Sequence, residues 1–127
     1  MRRQEGRAAE VNMGNFIEFY ANGGIFNHFV TIGFGVAAAS LFFAWRGAGA
    51  KWLDTCGRAL LTCIGFGLLG TAFGVAEVGA AVATVPPEVA AAASARGWSI
   101  AVIPAAWALF GAIPLWILCA VARHRAA

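Results

Sequence analysis

Two side chains stand out chemically in this sequence: Thr71 and Glu77, a hydroxyl and a carboxylate inside an apolar run that also holds Gly65, Gly67, Gly70 and Gly74. Either group is expensive to place in hydrocarbon, so each needs a partner or a cavity, and an intramembrane carboxylate is a candidate for moving protons. At about 100° per residue, Glu77 shares a helical stripe with Gly70, Phe73 and Gly74, whereas Thr71 shares one with Val75 and Val78. The two are also separated by about 9 Å along the axis at ~1.5 Å per residue, which disfavours a two-residue relay on one helix. For Thr71 the local reading is a hydroxyl bonded to the carbonyl one turn back. For Glu77 the readings are a proton-path carboxylate, or a boundary carboxylate that pairs with Arg96 or with the backbone of a neighbouring subunit.

The remaining reactive types are sparse. His28 falls about one turn into an apolar run and lacks the second ligand that a metal or haem would need. Cys56, Cys63 and Cys119 show neither CxxC nor Cys/His spacing and are read as reduced, small apolar residues. Without a nucleophile-base pair, a metal cluster or a phosphate loop, the sequence points away from an enzyme and implies no cofactor.

The elements that must position Thr71 and Glu77 follow from composition. The chain has 127 residues, 61% hydrophobic and 12% charged, which is too apolar for a soluble domain of this size. Charged residues are absent from Ile25 to Trp45 and from Trp98 to Ala122, and Glu77 alone interrupts Ala59 to Val85. Each run reaches the roughly 20 residues that cross a bilayer as a helix. The expected fold is an all-α integral membrane protein with spans over 25–45, 59–85 and 98–122. The first run is too long for a signal-peptide h-region and is expected to remain as an anchor.

Residues 1–22 mix Arg2, Arg3, Glu5, Arg7 and Glu10 with Met13, Phe16, Ile17 and Tyr20, a pattern that suits an amphipathic helix on the membrane surface. Asn22-Gly23-Gly24 should break it. A short link over 46–58 makes the first two spans an antiparallel hairpin, and Pro86-Pro87 stops the second. The alanine-rich stretch 86–97 should form a turn or two of helix outside the membrane. Arg46, Lys51 and Arg58 in the first link and Arg123 and Arg125 in the 123–127 tail outnumber Arg96 in the second link. This places the first link and C-terminus in the cytoplasm and the N-terminus on the opposite side. The scattered net charge of +3 gives no basic cluster for nucleic acid, leaving lipid as the immediate surroundings.

Gly67, Gly70 and Gly74 on the second span and Ala101, Ala105, Ala108 and Ala112 on the third offer surfaces for close helix packing. Opposite the alanines lie Ile103, Trp107, Phe110 and Pro114, a bulky face for lipid or the first span. Pro104 and Pro114 are expected to bend the third span or loosen its carbonyls.

Three separated motifs resemble the MotA/TolQ/ExbB family of proton-channel stator subunits. They are Phe19-Tyr20-Ala21-Asn22-Gly23-Gly24-Ile25-Phe26; Gly67-Leu68-Leu69-Gly70-Thr71-Ala72-Phe73-Gly74; and Ala95-Arg96-Gly97 through Gly111-Ala112-Ile113-Pro114. The resemblance implies a homopentameric ring in a bacterial inner membrane, with the second and third spans lining a pore that Thr71 faces. A separate single-span protein of the ExbD/TolR/MotB kind, bearing a transmembrane aspartate, would sit inside. The chain departs from the family in lacking the large cytoplasmic insertion between spans one and two. Ala105 and Ile100 also stand where the family has polar residues on the third span. Those departures keep open a second reading, a structural or accessory membrane subunit that packs like the family but conducts no protons.

Overall fold

The computed structural model describes residues 17, 18 and 20–126. Four helices follow one another: α1 (Gly24–Trp45), α2 (Lys51–Val82), α3 (Pro87–Ala101) and α4 (Ile103–Ala126). Three helical runs are long and apolar enough to cross a membrane: α1, α2 and the joined α3–α4 run Pro87–Ala126. The interfacial helix expected over 1–22 lies largely outside the described residues; the part within them, residues 17, 18 and 20–22, is helical.

The links are tighter than the charge pattern implies. α2 begins at Lys51, so five residues, 46–50, stand where a link of 46–58 was expected. The turn is compact because α1 ends in a Schellman motif. The Ala48 N–H donates to the Phe43 carbonyl at 3.1 Å and the Gly47 N–H to the Ala44 carbonyl at 3.1 Å, while Gly47 takes the left-handed conformation this requires, at φ 85°. At the other end of the bundle, α2 stops at Val82, just ahead of Pro86 and Pro87. Pro87 then opens α3, where its missing N–H costs nothing, and Glu88 places a carboxylate in the first turn.

The stretch 86–97 is therefore not a turn or two of helix. Its alanines carry a 15-residue helix that continues into α4 across Val102 alone. Val102 keeps near-helical dihedrals of φ −80° and ψ −9°. The interruption falls two residues before Pro104, which has no N–H to give the preceding turn. Pro114, by contrast, lies inside α4 without breaking it.

Packing follows a heptad-like rhythm. On α2 the buried residues Leu53, Cys56, Leu60, Cys63, Gly67 and Gly70 recur three and four apart, the spacing that keeps one seam facing a partner along a left-handed supercoil. The facing seam is made of Ala101, Ala108, Ala112, Cys119 and Ala122. The two run antiparallel in one unbroken register, from Leu53 beside Arg123 through Gly67 beside Ala108 and Gly74 beside Ala101 to Val78 on Gly97. α1 lies against the same pair, with Asn27, Val30, Ala37 and Leu41 buried. Lipid tails are as apolar as leucine, so the gain from this seam is van der Waals contact, and small residues raise it by letting backbones approach. All three cysteines are free and buried in the seam.

Apolar side chains cover the outside, among them Phe110, Ile32, Leu68, Leu61 and Ile117. On α2 the charge-free stretch 59–76 measures about 27 Å at ~1.5 Å per residue, close to the ~30 Å thickness of a bilayer's hydrocarbon. Arg58 and Glu77 mark its two edges.

Candidate functional site

At the Glu77 edge a cleft of about 450 Å³ opens between the start of α1, the last turns of α2 and the end of α3. Gly23 and Gly24, Gly70 and Gly74, and Gly97, drawn from three distant stretches of sequence, all line it, together with Glu77. Sequence spacing had placed Glu77 on the Gly70–Gly74 stripe, and the stripe is one wall of this cleft. Ile100, Ala101 and Pro104 form the facing wall, and Phe26 and Phe73 stack at its floor with ring centres 5.8 Å apart.

Except at Gly24, where a Cβ would meet nothing within 4 Å, these glycines leave no room for a larger residue. A Cβ on Gly70 would come within 2.8 Å of Phe26 Cβ and 2.9 Å of Pro104 Cβ, and one on Gly67 within 2.8 Å of the Pro104 carbonyl oxygen. A Cβ on Gly97 would press on the Val78 methyls, 2.6 Å away. These contacts all lie within one chain, so the glycine stripe is spent on α1 and α3–α4 of its own fold. Ala101, Ala108 and Ala112 are buried as the alanine stripe predicts, with Ala105 half-buried beside them. The bulky face divides three ways: Ile103 is buried, Trp107 turns to α1, and Phe110 and Pro114 are exposed.

Glu77 is exposed at the rim of the cleft, and the expected pair with Arg96 is absent: among the described residues the single ion pair joins Arg123 to Asp54. Thr71 points elsewhere. Its hydroxyl oxygen accepts a hydrogen bond from the Ala105 backbone N–H at 3.3 Å. That N–H lies in the first turn of α4, where Val102 and Pro104 interrupt the regular ladder, so Thr71 caps a helix start from across the seam. Thr71 therefore bonds across the seam and not to the carbonyl one turn back. Thr71 and Glu77 are thus not brought together, as their helical angles require. Pro114 lies far from the cleft, about five turns along α4 from Ala95 and Gly97 of its own motif at ~3.6 residues per turn.

A second polar cluster was missed by sequence reasoning. Trp107 Nε1–H donates to Thr31 Oγ1 at 3.1 Å, and the Thr31 hydroxyl donates to the Asn27 carbonyl at 2.7 Å. Tyr20 Oη lies 3.0 Å from both Thr31 Oγ1 and His28 Nδ1. Thr31 has one hydrogen, given to Asn27, so Tyr20 must donate to Thr31 and His28 must donate from Nδ1 to Tyr20. Hydrogen counting therefore assigns the Nδ1–H form of His28. Asn27 itself is fully buried, with Nδ2 donating to the Tyr20 carbonyl at 2.9 Å and Oδ1 unpartnered among the described residues. Its carboxamide occupies the space a Gly23 side chain would need. Gly24 adopts φ 63°, which turns the chain into α1. The signal available in sequence was Asn27, His28 and Thr31 within five residues of an apolar run, which is a polar face at helical spacing.

None of the family models, curated proteins or solved structures compared with this chain matches it.

Proposed function

We propose that the chain is a ring-forming membrane subunit of a MotA/TolQ/ExbB-like, proton-driven energy-transducing assembly, enclosing the single-span helices of an aspartate-bearing partner. The observation that carries this reading is the convergence of glycines from all three family-like motifs on the one cleft that holds Glu77. A family motif is expected to gather where its function is, and a carboxylate with no ion pair among the described residues, at the edge of the apolar belt, is the group a proton would meet first. The pentamer, the bacterial inner membrane and a periplasmic N-terminus belong to the same proposal.

One observation favours the second reading, a structural or accessory subunit without conduction. Thr71, the remaining polar residue of the motif, has its oxygen committed to the Ala105 N–H. Proton flux in reconstituted vesicles separates the two readings. With assembly intact, loss of flux in Glu77→Gln supports conduction; wild-type protein that passes no protons with its partner present leaves the packing role. Native mass of the purified complex tests the ring: a monomer or dimer overturns it.

A further inference from the structure

At the opposite end of the bundle a pocket of about 490 Å³ lies between α2 and α4, lined by Arg58, Arg123, Asp54, Gly57, Leu61 and Trp116 among others. Arg123 is partly engaged, with Nη2 3.4 Å from Asp54 Oδ1 and 3.4 Å from the Leu53 carbonyl. Arg58 has no side-chain partner among the described residues. Two guanidinium groups against one carboxylate leave the pocket with a net charge of +1. Directly inward lies a second groove of about 310 Å³, built from Ile64, Leu109, Ile113 and Ile117 and lined only by apolar surface. The two cavities share Trp116 and Ala120, so they adjoin, one cationic and the other hydrocarbon-like. Arg58 sits at the edge of the charge-free belt, the level at which a lipid's phosphate meets its acyl chains.

We propose that these adjoining cavities together bind one singly anionic glycerophospholipid, its phosphodiester on Arg58 and Arg123 and one acyl chain in the groove beside Trp116. The net charge matches one phosphate, a guanidinium bonds phosphate oxygens in a fork, and Trp at the junction suits the boundary between headgroup and tail. A zwitterionic lipid would bring an ammonium group that the pocket's net positive charge disfavours. The site does not depend on the ring or on proton flow.

The test is native mass spectrometry of the full-length protein released from nanodiscs of phosphatidylglycerol, phosphatidylcholine or phosphatidylethanolamine. One phosphatidylglycerol should stay bound per chain, held in preference to the other two. Arg58→Gln, at an exposed position with no side-chain partner among the described residues, should weaken that retention about five-fold, the equivalent of ~1 kcal/mol for one cation at the membrane surface. Ala120→Phe, which adds bulk where the two cavities adjoin and leaves both arginines in place, should abolish it. Equal retention of all three lipids, retention unchanged in Arg58→Gln, or a second protein copy covering the groove with no lipid released would each overturn the proposal.

Discussion

Thr71 shows how a residue can be found by sequence while its partner stays hidden. The side chain was conspicuous, but its partner, the Ala105 N–H, is a backbone group made available by Val102 and Pro104 thirty residues further on, and no local pattern reveals it. Replacing Thr71 with Val keeps the shape and leaves that N–H unpaired, a loss of about 1–3 kcal/mol, whereas Thr71→Ser should lose far less. Unfolding in mixed detergent checks both, and a Val variant as stable as wild type would show the bond to be idle. The Tyr20 network gives a second expectation at this scale. His28 should carry its proton on Nδ1 while neutral, visible in the nitrogen shifts of the imidazole, and Tyr20→Phe should release it to the commoner form. Trp107, too deep in its helix for the membrane boundary, is accounted for by Thr31.

At the scale of elements, hydropathy located all three spanning runs, because apolar length is a property of sequence alone. It misjudged their ends, because helix and membrane need not stop together: α2 continues eight residues beyond the expected span start, and α3 is a helix where a link was expected. The small residues were legible as packing surfaces, but their partners were not, since an exposed stripe and an internal seam look alike before the helices are placed. The seam predicts a contrast between two neighbouring glycines. A Cβ on Gly67 meets the Pro104 oxygen, so Gly67→Ala should cost about 1–3 kcal/mol by overpacking. A Cβ on Gly65 meets nothing within 4 Å, so Gly65→Ala should be neutral or gain up to ~1 kcal/mol from helix propensity. Equal effects of the two substitutions would mean that the α2–α4 seam is placed wrongly.

For the whole molecule, the belt between Arg58 and Glu77 gives the structure a definite depth in the membrane. Single cysteines placed along α2 in a background with Cys56, Cys63 and Cys119 changed to Ala should label at positions 58 and 77 when a membrane-impermeant maleimide is supplied on both sides of the membrane. They should resist it at the lipid-facing positions 61, 65, 68 and 72 between. Labelling at 65 or 68 would show that the belt is not the membrane. The same register has a mechanical consequence. Up to the level of Phe26 on Gly70 and Phe73, α1 packs directly on α2, while beyond it a cleft separates Asn22, Gly23, Gly24 and Ile25 from Glu77, Val78 and Ala81, and Val78 packs on Gly97 of α3. Amides of the three-helix zone should exchange with solvent deuterium only through global opening, whereas those of 76–95 should exchange through a local splaying of the hairpin tip, orders of magnitude sooner. The three-helix stem thus opens into a cleft at one end, and Glu77 rides at its rim.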